Sequence, residues 1–435
     1  MNINSHSEDS SIRTGTNETD KSDIVTMAEK KTIKKEILMA RQPIFNNKLE
    51  TVAYELLYRS SDSENQAVFD FCGSLATINV LLNSYTSVYQ NNQLKRMPAF
   101  LNLTYDLLIN DTLPNLPTNQ IVLEILEDIE VDAKLLESVK SLRNKGYKIA
   151  LDDFIYDDKY IPLLEMAQII KVDVLGMSLE QVSAQVEKLK PYKVTLLAEK
   201  IETHVMYQHC KDLGFKLFQG YFLSTPEMIE GSKVKPTQEK LLSIVQALQD
   251  PKVSSSDLEK LIIQDPVFTY KLLRIVNSSA NNLVREIDSV LEAINILGIT
   301  EMKKWALIIA MLSNQGKPEE LPRQLLIRGH MCEKVALGTG IQDTSGYMIA
   351  GMMSGVNALL DIGLIELLEQ IPLTQEIKAA IIKGEGIMGE ILHNTIHFGL
   401  GNWQQMSSDV DTQIYDNAYL ESLDWACKSM NCIDS

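Results

Sequence analysis

Eight short runs of apolar and β-branched residues recur between residues 38 and 223, and amphipathic stretches separate most of them. The runs are Leu38–Phe45, Val52–Tyr58, Ala99–Leu103, Ile121–Leu126, Lys148–Phe154, Ile169–Val174, Val194–Ile201 and Leu217–Leu223. In the intervening stretch Ala133–Asn144, Leu135, Leu136, Val139 and Leu142 share one helical face. Strands alternating with helices over this length predict an α/β fold, a (β/α)8 TIM-like barrel. In such a barrel the C-terminal strand ends converge on one face, where active sites are built.

The pattern changes in the second part of the chain, and 435 residues are too many for one ordinary core. Leu241, Ile244, Val245 and Leu248 form a helical stripe, as do Leu258, Leu261 and Ile262, and again Leu291, Ile294 and Leu297. No strand period accompanies them, so residues 238–435 are expected to form an all-α domain. Residues 231–237 are polar with Gly and Pro and read as a linker after a barrel domain of 36–230. Residues 1–35 are Ser, Thr, Asp, Glu and Lys with few apolar side chains, a composition expected to remain a disordered tail.

A formal net charge of −17 argues against a general nucleic-acid binder, because phosphate backbones call for an excess of Lys and Arg. No run approaches the roughly 20 apolar residues that span a bilayer. The N-terminus carries acids and hydroxyls where a signal peptide has an apolar core, so no export is expected. The five cysteines (Cys72, Cys210, Cys332, Cys427 and Cys432) are scattered and include no CxxC pair, which fits a reducing cytoplasm.

Nearly every expected strand of the first half delivers a polar residue near its C-terminal end: Glu55, Asn102, Glu124, the pair Asp152–Asp153, Lys171, Glu199 and Gln219. One such acid alone is ordinarily a solvated strand end or a helix cap. Here, however, the acids interrupt strongly apolar sequence, as in Val122-Leu123-Glu124-Ile125-Leu126, where a lone carboxylate is costly. Gathered at one face, these carboxylates resist ionisation unless cations neutralise them. Oxygen ligands without His or Cys point to hard ions such as Mg²⁺ or Mn²⁺. Two such ions suit phosphodiester hydrolysis, with Lys171 orienting water or stabilising developing charge.

The string Tyr54-Glu55-Leu56-Leu57-Tyr58-Arg59 resembles the signature of the EAL family of cyclic-di-GMP phosphodiesterases. Gln42-Pro43-Ile44, Asn102, Glu124-Ile125-Leu126-Glu127, Asp152-Asp153-Phe154, Lys171-Val172-Asp173, Ala198-Glu199, Glu202-Thr203 and Gln219-Gly220-Tyr221 follow the family's order over about residues 38–227. The resemblance implies two divalent ions held by Glu55, Asn102, Glu124, Asp152 and Asp153, with Lys171 and Glu199 as catalytic residues. Arg59 would contact substrate phosphate, Gln219, grouped with it at the substrate, would complete the water or metal shell, and Glu127 would anchor the loop after Asp153. The implied substrate is cyclic di-GMP, hydrolysed to linear pGpG, which would favour motility over biofilm. A homodimer is left open.

The chain departs from that pattern in places. Lys200 stands where the family usually has Gly, and Ile155-Tyr156-Asp157-Asp158-Lys159-Tyr160 replaces a glycine-rich loop. This altered loop favours an alternative, a receptor or scaffold of low or no turnover. In the second half, Asp265-Pro266-Val267 and Lys271–Ser278, with Leu291–Gly298, resemble the HDOD domain, an interaction module related to metal-dependent hydrolases. None of the six histidines is followed by Asp, so His330, His393 and His397 are not expected to form a metal site. An unidentified signalling protein is the expected partner of this half.

Overall fold

The computed structural model describes residues 37–60, 82–90, 93–110, 113–224, 245–250, 252–264, 266–277, 287, 289–312, 317–407 and 410–434. The expected tail, the linker, Leu241, Ile244 and Asp265 lie outside the described residues.

Eight strands close the barrel: β1 (Ile37–Asn46), β2 (Thr51–Ser60), β5 (Ala99–Leu103), β6 (Ile121–Ile125), β7 (Lys148–Leu151), β8 (Ile169–Asp173), β9 (Thr195–Glu199) and β10 (Leu217–Phe218). Two further strands, β3 (Ser87–Gln90) and β4 (Gln93–Arg96), form a separate antiparallel hairpin that the hydrophobic pattern had not announced. Around the barrel the order is β1-β10-β9-β8-β7-β6-β5-β2. All neighbouring pairs are parallel except those of β1, which is antiparallel to both β10 and β2. Only a tight turn separates β1 from β2, and a turn that short can join only antiparallel strands.

Crossover helices cover the parallel strands. They include α1 (Ala133–Asn144), which buries Leu135, Val139 and Leu142, and α2 (Leu179–Leu189), whose start is fixed by a Ser178/Gln181 capping box. A third, α3 (His204–Asp212), starts at the Thr203 cap and buries Tyr207 and Cys210.

The β1–β2 hairpin has no crossover helix of its own, and helices from the second half cover its outer face. These are α5 (Glu320–Gly338), α6 (Gly386–Gly399) and α7 (Thr412–Asp434); α5 and α7 also pack with α4 (Ile299–Leu312). Tyr54 hydroxyl donates to Glu320 Oε2 at 3.0 Å, and Glu320 pairs with Arg323 Nε at 3.0 Å. The Arg41 guanidinium lies 4.1 Å over the Tyr54 ring and donates at 2.6 Å to the Tyr85 carbonyl. Barrel and helices belong to one compact unit, Glu36–Ser435.

Of the helical stripe expected at Leu291, Ile294 and Leu297, Ile294 and Leu297 pack on the core and Leu291 does not. Val290, Ala293 and Ile294 are buried, whereas Leu291 is 41% exposed. Trp305 and Trp403 are buried, and Trp425 is half-buried, stacked on His330 and tilted against Trp305. Among the described residues, no helix is long and apolar enough to cross a membrane.

Candidate active site

Inside the barrel the side chains form two layers. Ile44, Ala53, Phe100, Val122, Ala150, Ile169 and Leu197 make an apolar floor. Alternate residues of a strand face the same side, so a step of two residues along each strand reaches the next layer. That step leads to Glu55, Asn102, Glu124, Asp152, Lys171 and Glu199, with Gln219 two residues beyond Leu217. Glu55, Asn102, Glu124, Lys171, Glu199 and Gln219 are all buried. On antiparallel β1 the step runs backward, from Ile44 to Gln42, the cross-strand partner of Glu55.

Lys171 is the centre of this polar layer. Its fully buried ammonium lies 2.7 Å from Glu124 Oε1, 2.7 Å from Asp152 Oδ1, 2.8 Å from Glu199 Oε1 and 3.5 Å from Glu55 Oε1. Burial works against its charge, but the surrounding carboxylates outweigh it and hold the ammonium well above the ordinary lysine range. Burial also pushes Glu124 and Glu199 well above the usual carboxylate range, despite the lysine. At Asp152 the opposing effects reverse, since Lys171 and hydrogen bonds overcome burial and hold it low. One ammonium thus faces four carboxylates, and further positive charge is needed to ionise them all.

The remaining polar groups orient Glu55. Asn102 Nδ2 donates to its Oε1 at 3.1 Å, and Gln219 Nε2 donates to its Oε2 at 2.7 Å. Gln219 is held by the backbone after it: Gly220 has φ +142°, and a Cβ there would lie 2.3 Å from Ile201 N. Only glycine permits that approach. The expected eighth run is accordingly cut short, with β10 ending at Phe218 and a 3₁₀ turn following at Tyr221–Ser224.

The fifth run, expected as a strand over Lys148–Phe154, differs as well. β7 ends at Leu151, and Asp153 takes a left-handed φ of +40°. Neighbouring residues of a strand point to opposite faces, but this kink brings Asp152 and Asp153 to one side. Carboxylate oxygens of Asp152, Asp153 and Glu199 lie within 4.8 Å of one another, as do those of Glu55, Glu124 and Asp152.

Sequence reasoning noted Lys200 as a departure but missed its partners. Its ammonium donates to both Asp153 oxygens at 3.0 Å and to Asp173 Oδ2 at 2.6 Å. Lys200 itself is left-handed, φ +54°, a conformation that explains why glycine is usual there. Glu127 meets the altered loop through its main chain, because Tyr160 hydroxyl donates to the Glu127 carbonyl at 2.9 Å. Tyr160 also packs edge-on against Phe154. A cavity of about 330 Å³ opens on this side, lined by Glu127, Asp152, Asp153, Tyr156 and Tyr160 among others. The side chain of Arg59, the expected phosphate contact, lies outside the described residues.

The donor set fits divalent cations. Asn102 Oδ1, Glu124 Oε2, Glu199 Oε2 and Gln219 Oε1 are buried without a hydrogen-bond partner, an arrangement that is costly for acceptors alone. Oxygen-only ligands of this kind suit hard ions. Among the described residues, both candidate acid groups lie in the barrel. In the helical half His330 is buried, bonded through Nδ1 to Ser422 Oγ at 2.9 Å, and burial drives it down to about 3. The His393 and His397 rings lie 4.3 Å apart, tilted by 56°, and His393 Nε2 meets the Gln405 carbonyl.

Two family models match the chain: the EAL domain over residues 27–226 and the HDOD domain over residues 235–385. YuxH of Bacillus subtilis (strain 168) is 31% identical over 411 residues, covering 91% of this chain and 99% of the relative. A Vibrio cholerae serotype O1 protein named cyclic di-GMP phosphodiesterase CdgJ is 33% identical over 371 residues, 84% of this chain and 85% of that protein. Among solved structures, the calcium and cyclic-di-GMP complex of Klebsiella pneumoniae BlrP1 is 21% identical with a TM-score of 0.32. It covers 42% of this chain and 54%, about half, of the Klebsiella chain.

Proposed function

Because this chain belongs to the family in which an EAL domain is followed by an HDOD domain, we propose that its barrel hydrolyses cyclic di-GMP to linear pGpG with two divalent ions, Mg²⁺ or Mn²⁺. The observation that carries this reading is the buried polar layer around Lys171, which concentrates four carboxylates on one ammonium.

Glu55, Asn102, Glu124 and Asp152 would hold one ion, and Asp152 with Asp153 would hold the other. Bound ions of this kind lower the pKa of a water and neutralise phosphate charge. Glu199 takes the proton of the attacking water, whose oxygen bonds to phosphorus as the ester bond to the 3′ oxygen breaks. That oxygen leaves as the 3′ hydroxyl by taking a proton from solvent, and Glu199 returns its proton to solvent. Lys171 keeps the carboxylates together and orients the water, Gln219 completes the shell, and Arg59 contacts substrate phosphate. The chain divides into the barrel at 36–230, a linker at 231–237 and the helical domain at 238–435. It works in the cytoplasm, where lower cyclic di-GMP favours motility over biofilm, and the helical half serves a signalling partner.

A second reading, binding without turnover, draws on one specific contact. Both oxygens of Asp153 are engaged by Lys200, in the place where the second ion needs them.

Product analysis of the purified chain with Mn²⁺ and cyclic di-GMP tests both. The proposed activity gives linear dinucleotide, and Glu55→Ala abolishes it. Tight binding of cyclic di-GMP with no product from the wild type supports the second reading. Neither binding nor product overturns both.

A further inference from the structure

The helical half reaches into the polar layer of the barrel through two glutamines. Leu400, which caps the C-terminal end of α6, presents its carbonyl to Gln42 Nε2 at 2.9 Å. Gln42 Oε1 accepts a 2.9 Å bond from Gln219 Nε2, whose second hydrogen goes to Glu55 Oε2 at 2.7 Å. A primary amide has one acceptor end and one donor end, so each link fixes the orientation of the next. With its nitrogen on Leu400, Gln42 must offer its oxygen to Gln219, and Gln219 must then direct its nitrogen at Glu55. A flipped Gln42 would set oxygen against the Leu400 carbonyl and nitrogen against nitrogen.

The docking that supplies the Leu400 carbonyl is close. Gly401 has φ +72°, and a Cβ there would lie 2.4 Å from Leu57 Cδ1 at the barrel rim. Tyr419 hydroxyl accepts a 3.3 Å bond from the Arg41 amide on the neighbouring residue of β1. Leu400 and Gly401 therefore reach over the rim, while Tyr419 holds the outer face.

We propose that Gln42 is a positioning residue for Glu55, and that docking of Leu400–Gly401 sets the affinity of the barrel for divalent ions. This inference rests on the reading of Glu55 as a metal ligand. A partner that shifts α6 changes the metal site without touching it, because the Leu400 carbonyl is what orients Gln42.

The test is calorimetric titration of the metal-free full chain with Mn²⁺, with a thermal melt of each variant. Gln42→Met keeps the side-chain volume and removes both amide ends. Gly401→Val disturbs the dock from the helical side, against the Leu57 side chain, and substitutes no residue of the barrel. Each is expected to weaken Mn²⁺ affinity by about 10-fold, the scale on which residues supporting a ligand act. The double variant is expected to be little weaker than either single one, because both cut the same chain of bonds. Unchanged affinity in the two single variants, whatever their melting temperatures, overturns the inference while leaving the metal site intact. A wild type that binds no Mn²⁺ overturns the metal-site reading and this inference with it.

Discussion

Asp152 stands between two regions of the site that are built in different ways. On one side Glu55, Asn102 and Glu124 belong to regular strands and are buried, with Glu55 and Glu124 gathered at Lys171 and Asn102 bonded to Glu55. On the other, Asp153 lies beyond the end of its strand in a left-handed kink, is 33% exposed, and pairs with a 46% exposed lysine. The first side is positioned by the sheet ladder and cannot relax without disturbing the barrel. The second is positioned by a loop and one exchangeable ion pair. A buried cluster sets its chemistry by the charges it encloses, whereas a half-exposed one is tuned by which cation reaches it first.

Substitution at the centre of the buried side gives the largest effect. Lys171→Met leaves the carboxylates without their ammonium, and breaking a buried ionic cluster this way costs about 3–5 kcal/mol. Turnover falls by about 100-fold or more. Thermal melts with and without Mn²⁺ check the cause: the ion should recover part of the lost stability, and an unchanged melt of the metal-free variant would dissolve the distinction between the two sides.

On the exposed side the expected change has the opposite sign. Lys200→Gly removes a competing ammonium and relaxes a left-handed backbone position. Surface pairs contribute about 1 kcal/mol or less, so second-ion affinity rises by roughly 5-fold at most. Mn²⁺ titration of this variant reads the gain; a loss of affinity would make Lys200 a supporting residue instead. The smallest effect is expected at Tyr160→Phe, which deletes one hydrogen bond to the Glu127 carbonyl at a cost of about 1 kcal/mol or less. Chemical denaturation measures it, and a shift of several kcal/mol would mean that the loop is as rigid as the strands.

The same contrast explains how far the sequence could be read. Residues on parallel strands were legible because side chains alternate between the two faces with a period of two, so an acid two residues beyond an apolar floor position announces the mouth. Gln42 follows the same rule but was not recognised as a member of the layer, because β1 runs antiparallel and its mouth end is its N-terminal one. The strand expected through Phe154 ends at Leu151, since the backbone conformation of Asp153 breaks the ladder and period alone does not show it. Lys200 was visible as a departure, but its partner Asp153 lies 47 residues away in the chain. The β3–β4 hairpin was hidden by the polar run Gln93–Arg96, which has no apolar alternation. The cover of the β1–β2 face by helices of the second half was equally invisible, because it depends on contacts such as Tyr54 with Glu320, 266 residues apart.

Whether the polar layer binds divalent ions is decided most directly by titrating the metal-free full chain with Mn²⁺ and comparing it with Glu124→Gln. The expected result is two ions per chain for the wild type, with affinity at the buried side lowered about 10-fold or more in the variant. Absence of Mn²⁺ binding by the wild type, or binding that Glu124→Gln leaves unchanged, would contradict it.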